Sequence, residues 1–276
     1  MILINNKPED LEWLPETGDQ SLKMVYEVIR VIDRKPVFGS DHLKRFFNSM
    51  QLARLESPFS PEEINHQMNS FLTANKRDFG NLMIRVIWNP DPVTGIGFIP
   101  HRYPTPDELA DGVRLASFRA VRQNPNAKTW LPEVRLKANQ LIRELGVYEV
   151  ILVNEIEEAT EGSRSNLFCI KNNRVLTPPV EDILPGITRQ MVIRLAGELG
   201  VQLTEKKIPL HELLGSDAVF ITGTSPGILS ANQVDLQMFN PNHPIIRELQ
   251  VSYQNLITST SPPNPLSQGR GGTSNQ

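Results

Sequence analysis

After residue 148 the chain repeats one pattern: a short run of β-branched and aromatic residues, closed by turn residues. "YEVILVN", "NLFCIKNNRVLTPP" and "DAVFIT" follow one another in this way, with a single amphipathic stretch, "ITRQMVIRLAGELG", between the last two. Runs of this length read as strands, and the middle one reads as a hairpin, so the second half must fold around a sheet. The first half mixes its elements. "KMVYEVIRVI" is a strand closed by the turn "DRKP", and Asp41 caps a helix whose inner face is Leu43, Phe46, Phe47 and Met50. A second helix, "SPEEINHQMNSFL", has Ser60 as cap and Pro61 at its first position. "NLMIRVIW" and "GVRLASFRAV" are strands, and the Pro- and Gly-rich "NPDPVTGIGFIPHRYPTPDELADG" between them reads as loops. These patterns predict a smaller N-terminal α/β domain over 1–117, a linker over 118–127 and a larger C-terminal domain over 128–257. The tail, 258–276, is low in large apolar residues and is expected to be disordered.

Charge and cysteine content narrow the function. The 28 basic and 31 acidic residues are interspersed, leaving a net charge of −3, so nucleic acid and anionic membranes are disfavoured as main partners. Cys169 is the one cysteine, which rules out an internal disulfide and a thiolate zinc site. No stretch approaches the roughly 18 apolar residues of a membrane span, and no basic, apolar leader opens the chain. A cytoplasmic protein is expected.

Several places could hold chemistry. In "LPGITRQ", a helix begins near Ile187 with Thr188 in its first turn, which gives free N–H groups and a hydroxyl that suit an anion. "FITGTSPG" turns at Gly223 and Thr224 and exposes further N–H and hydroxyl donors. Either stretch alone is better explained as a plain capped helix or a glycine turn; the two together are more suggestive than either one. Arg45, three residues after His42 on the first helix, is a solvated cation or a guanidinium clamp for a phosphate or carboxylate. Glu161 precedes Gly162 at the entry to an apolar strand; it is exposed, or it points inward and needs a cation. The histidines do not pair at metal-ligand spacing, and no nucleophile elbow or hydrolase triad is present.

Two lysines lie nine residues apart in "NPNAKTWLPEVRLKANQLIRELG". Val134, Ala138, Leu141, Ile142 and Leu145 form the buried stripe of a helix, and Lys137 falls off it, four residues after Glu133, as in a surface ion pair. Lys128 sits instead in the connection that leads into this helix, where working residues tend to project. Periodicity alone takes the choice no further.

"VYEVIRVIDRKPVF", "HLKRFFNSMQL", "NPNAK", "GVYEVILVNE", "TEGSRSNLF", "LPGITRQMVIRLAGELG" and "FITGTSPGILSA" resemble, in order and spacing, the class IV aminotransferases. These are the fold-type IV enzymes of pyridoxal 5'-phosphate (PLP), among them branched-chain and D-amino-acid aminotransferases and aminodeoxychorismate lyases. The resemblance runs from about Tyr26 to Ala231. It implies a two-domain, D-amino-acid-aminotransferase-like fold, a smaller N-terminal α/β domain and a larger C-terminal α+β domain with PLP between them, usually in a homodimer. By the same resemblance Lys128 bonds to the cofactor, Glu161 faces its pyridine nitrogen, and Arg45, Ile187, Thr188, Gly223 and Thr224 hold its phosphate. Tyr26 and Arg30 become candidates for the substrate side.

The implied reaction moves an amino group between a small amino acid and a 2-oxo acid, with a branched-chain-like substrate. Lyase members carry a threonine after the aromatic residue of the first strand, where this chain has Glu27, and that favours the transferase over the lyase. The arginine and histidine pair of the D-amino-acid enzymes is missing from "IRVIWNPDPVTG", and Glu133 stands where branched-chain enzymes place a tyrosine. The departures keep a third reading open: a degenerate PLP-binding protein without turnover.

Overall fold

A computed structural model describes residues 2–4, 7–9, 23–89, 91–130 and 132–259. The expected disordered tail lies, from residue 260 onward, outside the described residues. The first sheet contains β1 (Ile2–Ile4), β2 (Lys7–Glu9), β3 (Lys23–Ile32), β4 (Lys35–Pro36), β5 (Gly80–Asn89) and β6 (Asp91–Ile99), in the order β2-β1-β6-β5-β3-β4. Helices α1 (Gly39–Leu52) and α2 (Pro61–Ala74) cover one face of it. Val25, Ile29 and Val31 of β3 pack there against Phe46, Met50, Ile64 and Phe71. The alternate residues Met24 and Tyr26 face the other way, where Trp130 packs beside them.

After α3 (Pro106–Asp111) the chain enters a second sheet. It contains β7 (Val113–Arg119) and, beyond α4 (Pro132–Leu145), β8 (Glu149–Val153), β9 (Glu158–Gly162), β10 (Asn166–Lys171) and β11 (Arg174–Thr177). Helix α5 (Ile187–Glu198) is followed by β12 (Leu203–Glu205), β13 (Ile208–Pro209) and α6 (Leu210–Leu214). Then come β14 (Ala218–Gly223), β15 (Gly227–Val234), β16 (Gln237–Met238) and α7 (Pro244–Ser259). Strands β10, β14, β15, β7, β8 and β9 are paired in that order, and the register Asn166 to Glu161 pairs β9 back to β10, closing a barrel. Glu161 therefore stands at the seam of a closed ring.

The barrel strands are apolar on both faces, which is why they read as unbroken runs. Val219 and Ile221 of β14 point into the barrel with Leu167, Cys169 and Leu229. Ala218 and Phe220 point outward with Phe168 under α5 and α7, where Phe168 and Phe220 stack with centroids 4.8 Å apart. The β10–β11 hairpin turns on Asn172 and Asn173, both at positive φ (50° and 57°), the backbone twist that suits a two-residue hairpin. Among the described residues no helix is long and apolar enough to cross a membrane.

Three expectations change, and one helix is added. The stretch read as loops contains β6 and α3. β6 tolerates Pro92 because its partnership with β1 spans only Gly95 and Ile96, so no second neighbour needs the missing N–H. α3 is specified by a capping box, Thr105 with Glu108, in a stretch otherwise written as turns. α1 begins at Gly39 from a left-handed Phe38 (φ 53°), so Asp41 lies in the first turn and is not the cap. The exchange between sheets falls between Ile99 and Val113, ahead of 118–127, because β7 pairs in parallel with both β15 and β8. Helix α7, which had no reading in the sequence, extends to Ser259.

Ser60 and Glu63 form a reciprocal capping box at 3.2 and 2.8 Å on an exposed helix end. Ser60→Ala should cost about 1 kcal/mol. Phe168→Ala, in the layer between barrel and helices, should cost about 3–5 kcal/mol. Urea denaturation of both variants checks the difference.

Candidate active site

The irregular segment between β7 and α4 doubles back across the start of β3. The Tyr26 amide donates to the Lys128 carbonyl (3.2 Å), the Trp130 amide donates to the Met24 carbonyl (2.9 Å), and the Lys128 amide donates to Ser49 Oγ (3.0 Å). Lys128 is thereby fixed against the first sheet, with its Nζ 5.2 Å from the centre of the Tyr26 ring. Burial depresses its pKa, the Arg45 cation adds to the effect, and Glu27 and Tyr26 oppose it. Lys137 is an exposed partner of Glu133 at 2.8 Å.

Beneath Lys128, on the α1 side of β3, Glu27 is fully buried. Arg45 Nε donates to its Oε2 at 2.9 Å, Arg45 Nη2 to its Oε1 at 2.6 Å, and His42 Nδ1 lies 3.1 Å from Oε1. Burial alone would raise the Glu27 pKa, but Arg45 and then His42 outweigh it and hold the carboxyl well below the ordinary range. His42 is pushed down by burial, with Glu27 opposing. The remaining edge of the Arg45 guanidinium donates to the Pro185 carbonyl at 3.1 Å, which ties α1 to the residues just ahead of α5.

At the barrel seam Glu161 is buried and paired with Arg122 at 2.6 Å, and its second oxygen accepts from the Leu184 amide at 3.1 Å. Burial raises its pKa, while Arg122 and the Leu184 amide pull the other way. The Leu184–Pro185 turn thus touches both Glu161 and Arg45. It leads into α5, whose N-cap is Gly186, with no side-chain cap. Ile187 and Thr188 are both buried there, and Thr188 hydrogen-bonds the Tyr253 side chain of α7. Gly223 and Thr224 form the β14–β15 turn, and the Thr224 hydroxyl donates to the Val28 carbonyl at 3.3 Å. Gly227, not Gly223, adopts the positive φ (62°) in this turn.

A cleft lined by Tyr26, Arg122, Thr129, Val134, Arg135 and Ser163 opens beside the Tyr26 ring. Arg135 donates to the Tyr26 hydroxyl at 3.0 Å. Burial resists ionisation of that phenol, yet the Arg135, Lys128 and Arg122 cations outweigh it and bring its pKa down to about 8. Arg30 is placed differently. Its guanidinium lies 4.6 Å over the Tyr103 ring, and it stands four residues beyond Tyr26 on β3, about 13 Å along an extended strand.

The family model described as "Amino-transferase class IV" matches residues 24–234. The chain belongs to the class IV aminotransferases. It is 30% identical over 262 residues to the D-alanine aminotransferase of Bacillus licheniformis, covering 89% of this chain and 92% of that one. Its structure is similar to that of the branched-chain aminotransferase of Thermoproteus uzoniensis with norvaline (TM-score 0.81, 26% identity, 94% of this chain and 95% of that one). It is also similar to a T.th. branched-chain aminotransferase with pyridoxamine 5'-phosphate (TM-score 0.78, 25% identity, 90% of this chain and 88% of that one). The family is PLP-dependent and of fold type IV.

The residues of this aminotransferase fit that cofactor. Its aldehyde calls for an amine in a dry setting, which Lys128 could supply, and its ring nitrogen calls for a carboxylate, which Glu161 could supply. A phosphate dianion calls for converging donors. The Thr222 hydroxyl is buried without a partner among the described residues. It stands at the end of β14, paired with Asn166, whose side chain abuts the uncapped Gly186 turn. A dianion at the α5 N-terminus would meet donors that the fold otherwise leaves unmatched.

Two residues of this constellation escaped the sequence reading. Arg122 carries no local signature, six residues before Lys128 in a loop, and the one available signal was indirect: a buried Glu161 demands a cation. Glu149 is buried and accepts from Ser163 Oγ (2.7 Å), Ser165 Oγ (3.3 Å) and the Arg164 amide (3.0 Å), shaping the turn behind Glu161. The two serines are thus structural.

Because His42 is harder to protonate in the folded chain than in the unfolded one, stability should fall as pH drops below the unfolded histidine value of about 6.5. Urea midpoints at pH 7 and pH 5 should show a smaller loss in His42→Gln than in the parent chain.

Proposed function

We propose that the protein transfers an amino group from a small amino acid to a 2-oxo acid, with Lys128 as its catalytic base and PLP anchor. The observation that carries the reading is the buried Lys128 amine of depressed pKa, pinned between the two sheets beside Glu27, Arg45 and Tyr26. In this reading Glu161 faces the pyridine nitrogen, and Arg45, Ile187, Thr188, Gly223 and Thr224 hold the phosphate. The names of the relatives, D-alanine and branched-chain aminotransferases, support a small or branched aliphatic amino acid as donor. A cytoplasmic homodimer is part of the proposal.

When bound, PLP supplies an electron sink for the charge left on the substrate Cα as its proton departs. The chain's own residues do the rest. Lys128 Nζ is neutral more readily than a solvent-exposed lysine, so it can accept the Cα proton at neutral pH. Glu161, fixed by Arg122 and the Leu184 amide, presents a carboxylate that keeps a proton on the ring nitrogen. Glu27 holds the Arg45 guanidinium through two hydrogen bonds, so the phosphate anchor is positioned before anything binds. Glu27 also separates this site from the lyase pattern, which has threonine at that place.

The protein purified with PLP should be yellow, and borohydride should fix one cofactor on Lys128, located by peptide mass. Lys128→Ala should lose colour and adduct, while Lys137→Ala should keep both. An alanine or branched-chain donor should then discharge the yellow absorbance and release its 2-oxo acid. A protein that binds PLP but responds to no donor would be the degenerate binder, and one that releases pyruvate from aminodeoxychorismate alone would be the lyase.

A further inference from the structure

We propose that Arg135 is the residue through which this pocket selects a carboxylate on its substrate. The proposal rests on the aminotransferase reading and adds to it the chemical group that the substrate side recognises.

Arg135 lies in the first turn of α4 and is half-buried in the wall of the cleft it shares with Tyr26, Arg122, Thr129, Val134 and Ser163. The other charges around it already have partners. Arg122 is neutralised by Glu161 at 2.6 Å, and Glu133 by Lys137 at 2.8 Å. The contact Arg135 makes among the described residues is with the Tyr26 hydroxyl, a neutral acceptor, at 3.0 Å. A guanidinium partly withdrawn from water and facing a phenol is a cation short of an anion.

A second guanidinium lies nearby. Arg164 follows Ser163 of the cleft, and its guanidinium reaches Asn139 of α4. Burial lowers the Arg164 pKa, and the Arg135 cation lowers it further, with Glu149 opposing. Glu149 cannot relieve both arginines, because its oxygens already accept from the Val150 and Arg164 amides and from Ser163 and Ser165. Arg164 thus adds positive charge one turn along α4 from Arg135, near the cleft beside Tyr26, the ring against which Lys128 Nζ rests. The first turn of a helix adds its own preference for negative charge. With one amino group held by Tyr26, the guanidinium keeps further N–H donors for the two oxygens of a carboxylate. Donor and acceptor of an amino transfer share such a group at the α-carbon, and a dicarboxylic substrate has another on its side chain.

The test uses the PLP-loaded enzyme and two aminooxy probes that differ in one group: aminooxyacetate, which carries a carboxylate, and O-methylhydroxylamine, which does not. Both discharge the yellow absorbance by reacting with the bound cofactor, so the readout is binding, independent of turnover. The parent enzyme should prefer aminooxyacetate, and Arg135→Gln should lose that preference by roughly tenfold to a hundredfold, with Arg135→Lys in between. KM values for glutamate and norvaline locate the carboxylate. A rise for both donors in Arg135→Gln places it at the α-carbon, and a rise for glutamate alone, with the aminooxyacetate preference kept, places it on the side chain. A parent enzyme without preference between the probes overturns the proposal even if the variants fail to fold. So does an Arg135→Gln variant whose probe ratio and donor KM values match the parent, or one that loses both probes equally. In each of those cases a yellow protein with an active donor leaves the aminotransferase reading standing, whereas a colourless protein removes that reading first.

Discussion

Everything at the candidate site depends on one short piece of backbone pairing. The segment that carries Lys128 lies alongside the first residues of β3 and makes three hydrogen bonds to the N-terminal half, two to backbone and one to Ser49. Each is a modest interaction, about 1 kcal/mol net. Their importance is positional. The segment belongs by sequence to the barrel half, yet its partners belong to the other sheet, so this crossing closes the space between the two sheets and sets the height of the lysine in it. Tyr26, whose amide donates to the Lys128 carbonyl, also offers its ring to the Lys128 amine. The same residue that seats the Lys128 backbone therefore also lines the cleft beside it.

That crossing brings several charges into a small buried volume, and the fold answers by pairing them in a fixed order. Glu27 takes Arg45, Glu161 takes Arg122, and Lys128 lies between the two pairs without a carboxylate of its own. Breaking either pair would leave an uncompensated buried charge, an effect of about 3–5 kcal/mol. The pairs also make Lys128 what it is. Were Glu27 free to reach the lysine, the amine would be held as ammonium; because Arg45 and His42 occupy Glu27, burial and Arg45 prevail and the amine leans to its neutral form. Placing Glu27 on the helix-covered face of β3 and Tyr26 on the other is a consequence of strand alternation alone.

This separation explains which parts could be read from the chain. The Ser60 cap, the two-residue hairpin at Asn172 and Asn173, and the core of the stripe beside Lys137 are local, set by residues within four positions of each other, although Leu145 at the end of that stripe is exposed and the equally local Thr105–Glu108 box was hidden among turn residues. Lys128 was legible through its place ahead of a helix and through family spacing. Arg122 was not, because its meaning comes from Glu161, 39 residues away across the seam. β6 was missed for a related reason: its glycines and prolines suit a loop, and only a full-length partner in β5 overrides them. Asp41 failed as a cap because the chain enters α1 through the left-handed Phe38, with Gly39 packed against the Pro36 ring, a tertiary constraint that precedes the capping signal.

The two halves of the pocket are built by different means. On the proposed cofactor side the groups sit on turns anchored to barrel strands and to α5, together with Arg45 of α1, and the barrel positions follow from strand register, as with Asn166 opposite both Glu161 and Thr222. On the substrate side the groups are side chains projected from the first turn of α4 and from β3. A change of one residue there, such as Glu133 in place of a tyrosine, moves no backbone and redraws the chemistry of the wall. Substrate preference in this chain is accordingly to be argued from Tyr26, Arg135 and their neighbours, and not from the turns proposed to hold the phosphate.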